Sequence, residues 1–284
     1  MADAARALPG EKVDELRARL RSLGNVVVAF SGGADSSFLA WVAHDTLGAN
    51  RARAVTAVSP SLAAGEREDC AALAAEWGLR WTEVVTAELD NPSYVANDRD
   101  RCAHCKTELM DVLAPLAAGE AATVVLGVNL DDLGEHRPGQ QVAALRGAVF
   151  PLVEAGFSKA EVREASRLLG LRTWDKPAAA CLSSRVPHGV PVTLATLDRV
   201  GKAEAGLRRL GFRQVRVRHH GDVARVELEL DDLARAVALR TEVVSAVQGA
   251  GYRYVTLDLE GFRSGNLSAQ TMTRTSGADR SEGA

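Results

Sequence analysis

No run of about 18 or more apolar residues occurs anywhere in this chain, so nothing in it reads as a membrane-spanning helix. The opening MADAARALPGEKVDEL lacks the basic start and apolar stretch of a secretory signal, and the expectation is a cytoplasmic protein without a membrane partner. Cysteine is scarce: Cys70, Cys102, Cys105 and Cys181 are the only four in 284 residues. So few thiols in a reducing compartment argue against disulfide staples, and clustered ones point to chemistry. An excess of one charge sign is also missing. A net charge of -3 gives no general attraction to polyanions, so no nucleic-acid partner is expected. Internal repeats and low-complexity stretches are absent from the part expected to fold. What is present, 46% hydrophobic and 25% charged residues, is ordinary for a globular chain long enough for two domains.

Residues 11–23 carry Val13, Leu16, Leu20 and Leu23 at near-helical spacing before Gly24, which predicts an amphipathic helix. Asn25 to Phe30 is a short β-branched apolar run, as expected of a strand buried on both faces. A helix from Ser36, a strand in RARAVTAVS, a helix in AGEREDCAALAAEWG, a strand in WTEVV, a helix in CKTELMDVLAPLA and a strand in ATVVLGV follow. Alternation through roughly residue 175 predicts an α/β fold, a parallel sheet with helices on both faces and ligands at the strands' carboxyl ends. After Pro187-His188-Gly189 the pattern changes to a helix near 193–210, strands near 213–218 and 222–230, a helix near 231–248 and a strand near 252–259, a smaller α+β domain. Leu207, Leu210, Val237 and Leu239 read as its core.

Ser31-Gly32-Gly33-Ala34-Asp35-Ser36-Ser37 lies between the first strand and its helix. Glycines let backbone N–H groups close on a pyrophosphate, and the helix N-terminus adds a favourable dipole. The hydroxyls of Ser31, Ser36 and Ser37 add donors, while the terminal Gly-Lys-Ser/Thr of a Walker loop is absent. A tight strand-to-helix turn is the plainer reading of such glycines. SGGADSS after an apolar strand nevertheless resembles the PP-loop pattern SGGxDS closely. That resemblance implies ATP bound by Ser31, Gly32, Gly33, Asp35, Ser36 and Ser37, Asp35 near Mg2+, and transfer of AMP to a substrate with release of pyrophosphate. Lys176 is counted with the nucleotide-binding residues. Asp131 and Asp132, after ATVVLGV, either face the same site or cap a helix.

Cys102 and Cys105 lie in RCAHCK and Cys181 in KPAAACLSSR. Thiolates serve as nucleophiles and as soft metal ligands, and Arg101, Lys106, Lys176 and Arg185 nearby in sequence would favour their ionisation. Zinc, with His104 as a fourth ligand, a redox pair, and an iron-sulfur cluster with one iron left open all fit this set. Cys70, on a helix, reads as buried packing.

Several further segments resemble the LarE sulfur transferases, a PP-loop family that helps make the nickel-pincer nucleotide cofactor: NPSYVANDRDRCAHCK, GVNLDDLGEHRPG, PLVEAGFSKAEVREASRLLGL with DKPAAACLSSR, and DLEGFRSGN. The likeness covers nearly the whole chain. It implies a PP-loop ATP-binding domain at 1–187 and a substrate-binding or oligomerisation domain at 188–267, while the polar, small and aperiodic residues at 268–284 read as a disordered tail. It implies as substrate a pyridinium dicarboxylate mononucleotide, adenylated and converted to thiocarboxylates, and a homo-oligomer. A carboxylate is inert to sulfur nucleophiles until its oxygen becomes a leaving group, so activation is chemically necessary. Cys181 matches the sulfur-handling cysteine. Some relatives sacrifice that sulfur and keep dehydroalanine; others hold a 4Fe-4S cluster on three cysteines, which Cys102 and Cys105 make the expectation here, supplied by sulfide or another sulfur donor. The resemblance also places Ser184, Arg185 and Glu204 in the active site, assigns the substrate phosphate to Arg216 and Arg218, adds Arg263, and puts Glu227 near subunit contacts. The two-residue period of a strand sets Arg216 and Arg218 on one face. A tRNA-thiolating PP-loop enzyme is the rival, and the slightly acidic chain speaks against it.

Overall fold

The computed structural model describes residues 9–134, 138–177 and 180–263. The expected tail at 268–284, and Glu135 to Arg137 and Ala178 to Ala179 within two of the quoted segments, lie outside the described residues. The chain forms two compact units, one from residues 9–94 and 100–177, the other from 95–99 and 180–263. The second unit therefore begins before the expected break after 187 and takes a short upstream piece with it. The reason is local. Asn97, buried and with φ of 57°, donates its side-chain amide to the carbonyls of Pro187 and Val190 at 2.8 Å and of Val186 at 3.3 Å. Its carbonyl accepts the Gly189 N–H at 3.0 Å, and the Val192 N–H reaches Val95.

The first unit runs α1 (Pro9–Leu23), β1 (Asn25–Ala29), α2 (Ala34–Leu47), β2 (Ala52–Val58), α3 (Ala64–Trp77), β3 (Arg80–Val85), α4 (Pro92–Val95, its last residue in the other unit), α5 (Arg101–Gly119), β4 (Ala122–Leu126), α6 (Pro138–Leu145), α7 (Pro151–Glu154) and α8 (Lys159–Leu168). Its strands are parallel in the order β3-β2-β1-β4. The apolar run of β1 serves two cores at once. Val26 and Val28 pack with Leu16, Leu20, Phe38 and Val162 on one face, and Val27 with Met110, Leu113 and Val124 on the other. Each such buried side chain contributes about 1.5–3 kcal/mol. The expected alternation stops at β4: beyond it, among the described residues, only Val149 joins the sheet, through a single parallel bridge to Val125. Because β2 and β3 lie on one side of β1 and β4 on the other, the order reverses between β1 and β4. The carboxyl ends of those two strands form the crevice where such sheets bind ligands.

Helix α8 begins with a capping box, Ser158 and Glu161. Glu161 also takes the Lys12 ammonium at 2.8 Å. Burial opposes ionisation of Glu161, but Lys12 and Ser158 outweigh it and bring its carboxyl down to about 2. A depressed carboxyl stabilises the fold above its unfolded value of about 4.3, and that contribution fades as pH falls toward the folded value. Thermal unfolding of Glu161→Gln beside the wild type should therefore show a deficit at pH 6 that shrinks between pH about 4 and 3.

The second unit contains α9 (Leu194–Arg209), β5 (Val215–His220), β6 (Val223–Leu228), α10 (Leu233–Ala238), α11 (Arg240–Gly249) and β7 (Tyr254–Leu257). Strand β5 is antiparallel to β6, and β7 is parallel to β6. The single helix expected near 231–248 is broken at Leu239. Val237, expected in the core, is 58% exposed, because α10 turns Ala236 inward instead. Leu207 is fully buried as expected. Among the described residues no helix is long and apolar enough to cross a membrane.

Candidate active site

The loop after β1 is shaped by its glycines. Gly32 has φ of 70°, a left-handed conformation that a side chain resists, and a Cβ there would lie 2.9 Å from the Cys70 sulfur. Gly33 caps α2 in an extended conformation, so the first N–H groups of that helix are left without intrahelical partners. The hydroxyl of Ser36 turns back onto the Gly33 carbonyl at 3.2 Å and meets the Ser31 hydroxyl at 3.1 Å. Ser31 stays exposed. Ser37, expected to offer its hydroxyl, is wholly buried: its N–H makes the first helical bond to Gly33 and its side chain faces inward.

Gly127 closes the crevice from the β4 side, and sequence reading missed it. A Cβ on Gly127 would stand 2.8 Å from the Ser36 nitrogen and 2.9 Å from the Asp35 carbonyl carbon, both backbone atoms. Gly127→Ala should displace the start of α2, lowering stability by about 1–3 kcal/mol and weakening the ATP binding that SGGADSS leads one to expect. Calorimetric titration beside a urea melt checks both effects, and unchanged ATP binding would mean that the loop tolerates the shift.

Asp35 sits at this junction. Its Oδ1 is buried with no hydrogen-bond partner among the described residues, and the same holds for the Asn129 amide nitrogen. Burial pushes the Asp35 carboxyl up, Asn129 and Lys159 pull against that rise, and Asp132 adds to it. The two aspartates after β4 thus divide the roles left open above. Asp131 accepts the Lys159 N–H at the start of α8, a helix-capping contact, while Asp132 faces Asp35 electrostatically. An orphaned carboxylate oxygen beside a second carboxylate suits a hard cation such as Mg2+.

Lys176 reaches the same loop: a Cβ on Gly32 would be 3.5 Å from its ammonium. Cys70 is fully buried, and burial, opposed by Thr56 and Lys176, pushes its thiol up to about 11, an inert core cysteine as expected. Cys102 and Cys105 open α5 one turn apart; Cys102 is exposed, Cys105 partly so, and neither is in a disulfide. Gly139 at the start of α6 packs on this turn, where a Cβ would come within 2.7 Å of the Cys102 carbonyl. Among the described residues no three His, Cys, Asp or Glu side chains stand together closely enough to hold a metal ion.

In the second unit Cys181 is exposed at the head of a short 3-10 turn, Leu182–Arg185. That turn is fastened from beneath. Arg185, about 1% exposed, donates to the carbonyls of Ala180 at 2.7 Å and Cys181 at 3.0 Å and to the Ser184 hydroxyl at 2.9 Å. Its other edge meets Glu204 in two bonds, 2.7 and 3.0 Å. Glu204 is completely buried and also accepts from Arg208 and from the Val217 N–H. Arg185 and Glu204, expected to act on substrate, are committed here to holding the cysteine turn. The hydroxyl of Ser184 donates to the Cys181 carbonyl at 2.8 Å.

Arg216 and Arg218 share one face of β5, as the two-residue period predicts, but both are only 5% exposed. Arg218 bonds the Ser184 carbonyl at 2.9 Å and Glu227 at 2.8 and 3.0 Å. Glu227 is not a polar outer face, as alternation in ARVELEL would have it. It is fully buried, lies opposite Arg216 in register, and pairs with both Arg218 and Arg225. Arg216 lies over the Phe262 ring at 5.3 Å. Burial, with Arg185, Arg218 and Arg208 as like-charged neighbours, brings Arg216 down to about 10, so this corner holds a surplus of positive charge suited to an anion. Arg263 is half-exposed and pairs with Glu260.

A phosphate-shaped glycine loop at the carboxyl end of β1, in a parallel sheet whose order reverses there, defines the first unit as an α/β domain of the PP-loop class. No family model matches the chain. It is 49% identical to an uncharacterised protein of Synechocystis sp., over 90% of this chain and 96% of that one. It is 37% identical to the pyridinium-3,5-bisthiocarboxylic acid mononucleotide synthase of Lactiplantibacillus plantarum, over 91% of this chain and 94% of the synthase. An uncharacterised protein of Methanocaldococcus jannaschii is 23% identical over 84% of this chain. The chain belongs to the LarE family of sulfur transferases.

Proposed function

We propose that this enzyme uses ATP to activate the carboxylates of pyridinium-3,5-biscarboxylic acid mononucleotide and converts them to thiocarboxylates, releasing AMP and pyrophosphate. The observation that carries the ATP part is the loop itself: left-handed Gly32, capping Gly33 and the open start of α2, with the orphaned Asp35 oxygen beside them. The thiocarboxylate part rests on the name of the Lactiplantibacillus relative. Asp35 and Asp132 would hold Mg2+, which neutralises phosphate charge. Arg216 and Arg218 receive the phosphate of the mononucleotide, and the Arg185–Glu204 pair keeps the Cys181 turn in place.

Cys102, Cys105 and Cys181 would hold a 4Fe-4S cluster, three thiolates leaving one iron free to carry sulfide. Three thiols outside any disulfide and at least partly accessible, two of them one helical turn apart, are a donor set of the right chemistry for such a cluster. The protein, purified anaerobically and given ATP and the dicarboxylate mononucleotide, should release pyrophosphate and exchange carboxylate oxygen for sulfur over several turnovers. Absence of both products would refute the reading. A single turnover that leaves Cys181 lighter by the elements of hydrogen sulfide would move the sulfur source to Cys181 itself.

A further inference from the structure

The first unit holds a charged triad that neither the loop nor the cysteines require. Glu66 and Asp69 stand one turn apart on α3, and both carboxylates meet the Lys176 ammonium, at 2.8 and 2.5 Å. The Lys176 side chain is 15% exposed, and its ammonium lies against Gly32 of the phosphate loop. Its backbone is fixed as well. Arg163 donates to the carbonyls of Lys176 at 2.8 Å and Trp174 at 3.0 Å. Asp69 is held from its other side by Arg172 at 2.8 Å, which itself bonds Glu76 at 2.7 Å. Burial opposes charge on both Asp69 and Lys176, and their mutual pairing outweighs it, keeping the carboxyl low and the ammonium high. Two anions thus surround one cation at the place where a triphosphate, a stronger anion, would seek that same cation.

We propose that Glu66 and Asp69 hold Lys176 beside Gly32 and compete for it with the outer phosphates of the nucleotide, so that this carboxylate pair sets the affinity for ATP. The inference rests on reading the loop as the ATP site. It assigns the pair a role in positioning, exerted through Lys176. A pair that only supported the fold would weaken nucleotide binding when removed. A competing pair strengthens it.

Calorimetric titration with α,β-methylene-ATP, which resists cleavage at the reacting bond, and with AMP, which lacks the outer phosphates, separates the two. E66Q/D69N should bind the triphosphate analogue about tenfold more tightly than the wild type, and Lys176→Ala about tenfold more weakly. AMP should bind all three proteins alike, which also certifies their fold. An amide-pair variant that binds the analogue no more tightly, or that gains equally for AMP, overturns the proposal, as does Lys176→Ala with wild-type affinity for the analogue. If Lys176→Ala does not fold, the sign of the change in E66Q/D69N decides. Wild-type protein that binds neither nucleotide defeats the ATP reading itself; wild-type binding with unmoved variants defeats only the competition.

Discussion

Replacing Cys181 by alanine is expected to end thiocarboxylate formation while ATP-dependent pyrophosphate release continues, and Cys102→Ala and Cys105→Ala should do the same. In the proposed reaction adenylation would draw on the loop at 31–37, Asp35 and Lys176, where Ser36 bonds Ser31 and Gly33 and Lys176 pairs with Glu66 and Asp69. Sulfur delivery would draw on the thiols. Activation and transfer should therefore come apart cleanly in a paired assay of pyrophosphate and thiocarboxylate, with the loss in transfer at least a hundredfold, about 2.7 kcal/mol in barrier. Cys102→Ala with full multiple-turnover activity would remove the cluster from the proposal while leaving Cys181 in it. The anaerobic visible spectrum supplies an independent reading, since all three variants should lose the iron-sulfur absorption together.

Glu204→Gln is expected to cost about 3–5 kcal/mol of stability. The amide preserves volume but removes the charge that Arg185 and Arg208 share, and Arg185 is sealed from water. The loss should depend on pH. Burial works against ionisation of Glu204, yet Arg185, Arg208 and Arg216 hold its carboxyl below the ordinary range. A lowered folded value stabilises above the unfolded one and fades below it, so the gap between wild type and variant should be full at pH 7 and narrow once pH drops below about 4.3. Urea unfolding at the two pH values reads this directly. A constant gap of less than about 1 kcal/mol would show that the arginines find other partners. Because Arg185 carries the carbonyls of Ala180 and Cys181, the variant should also alkylate faster at Cys181 at temperatures below its melt.

The parts of this molecule that could be read from sequence are those where the signal is local. SGGADSS joins turn chemistry, strand end and helix start within seven residues, and the structure shows the left-handed glycine and the cap it implies. The period of two in RQVRVRHH likewise set Arg216 and Arg218 on one face of β5. What it could not show is which side of that face is wet. The burial of Glu227 is equally hidden, because alternation cannot distinguish an outer face from a face lined with buried ion pairs. Gly127, Asn129, Glu66 and Asp69 went unnoticed for another reason. Each acquires its role from a partner far along the chain, Gly127 from Ser36 and Asp69 from Lys176, and nothing in the neighbouring letters marks such a pairing. Ser37 gives no local sign of its burial either: the turn of α2 carries its side chain wholly into the core.

The carboxamide of Asn97 has a practical consequence for anyone cutting the gene. The second unit is discontinuous: a fragment starting at 180 would lack residues 95–99, and the carbonyls of Val186, Pro187 and Val190 would lose the donor they share. A fragment ending near 179 would carry Asn97 with nothing to clasp. Neither half is a complete inheritance from its own stretch of DNA, and a stable separate module would need the 95–99 strip grafted onto the downstream piece rather than a single well-chosen stop codon.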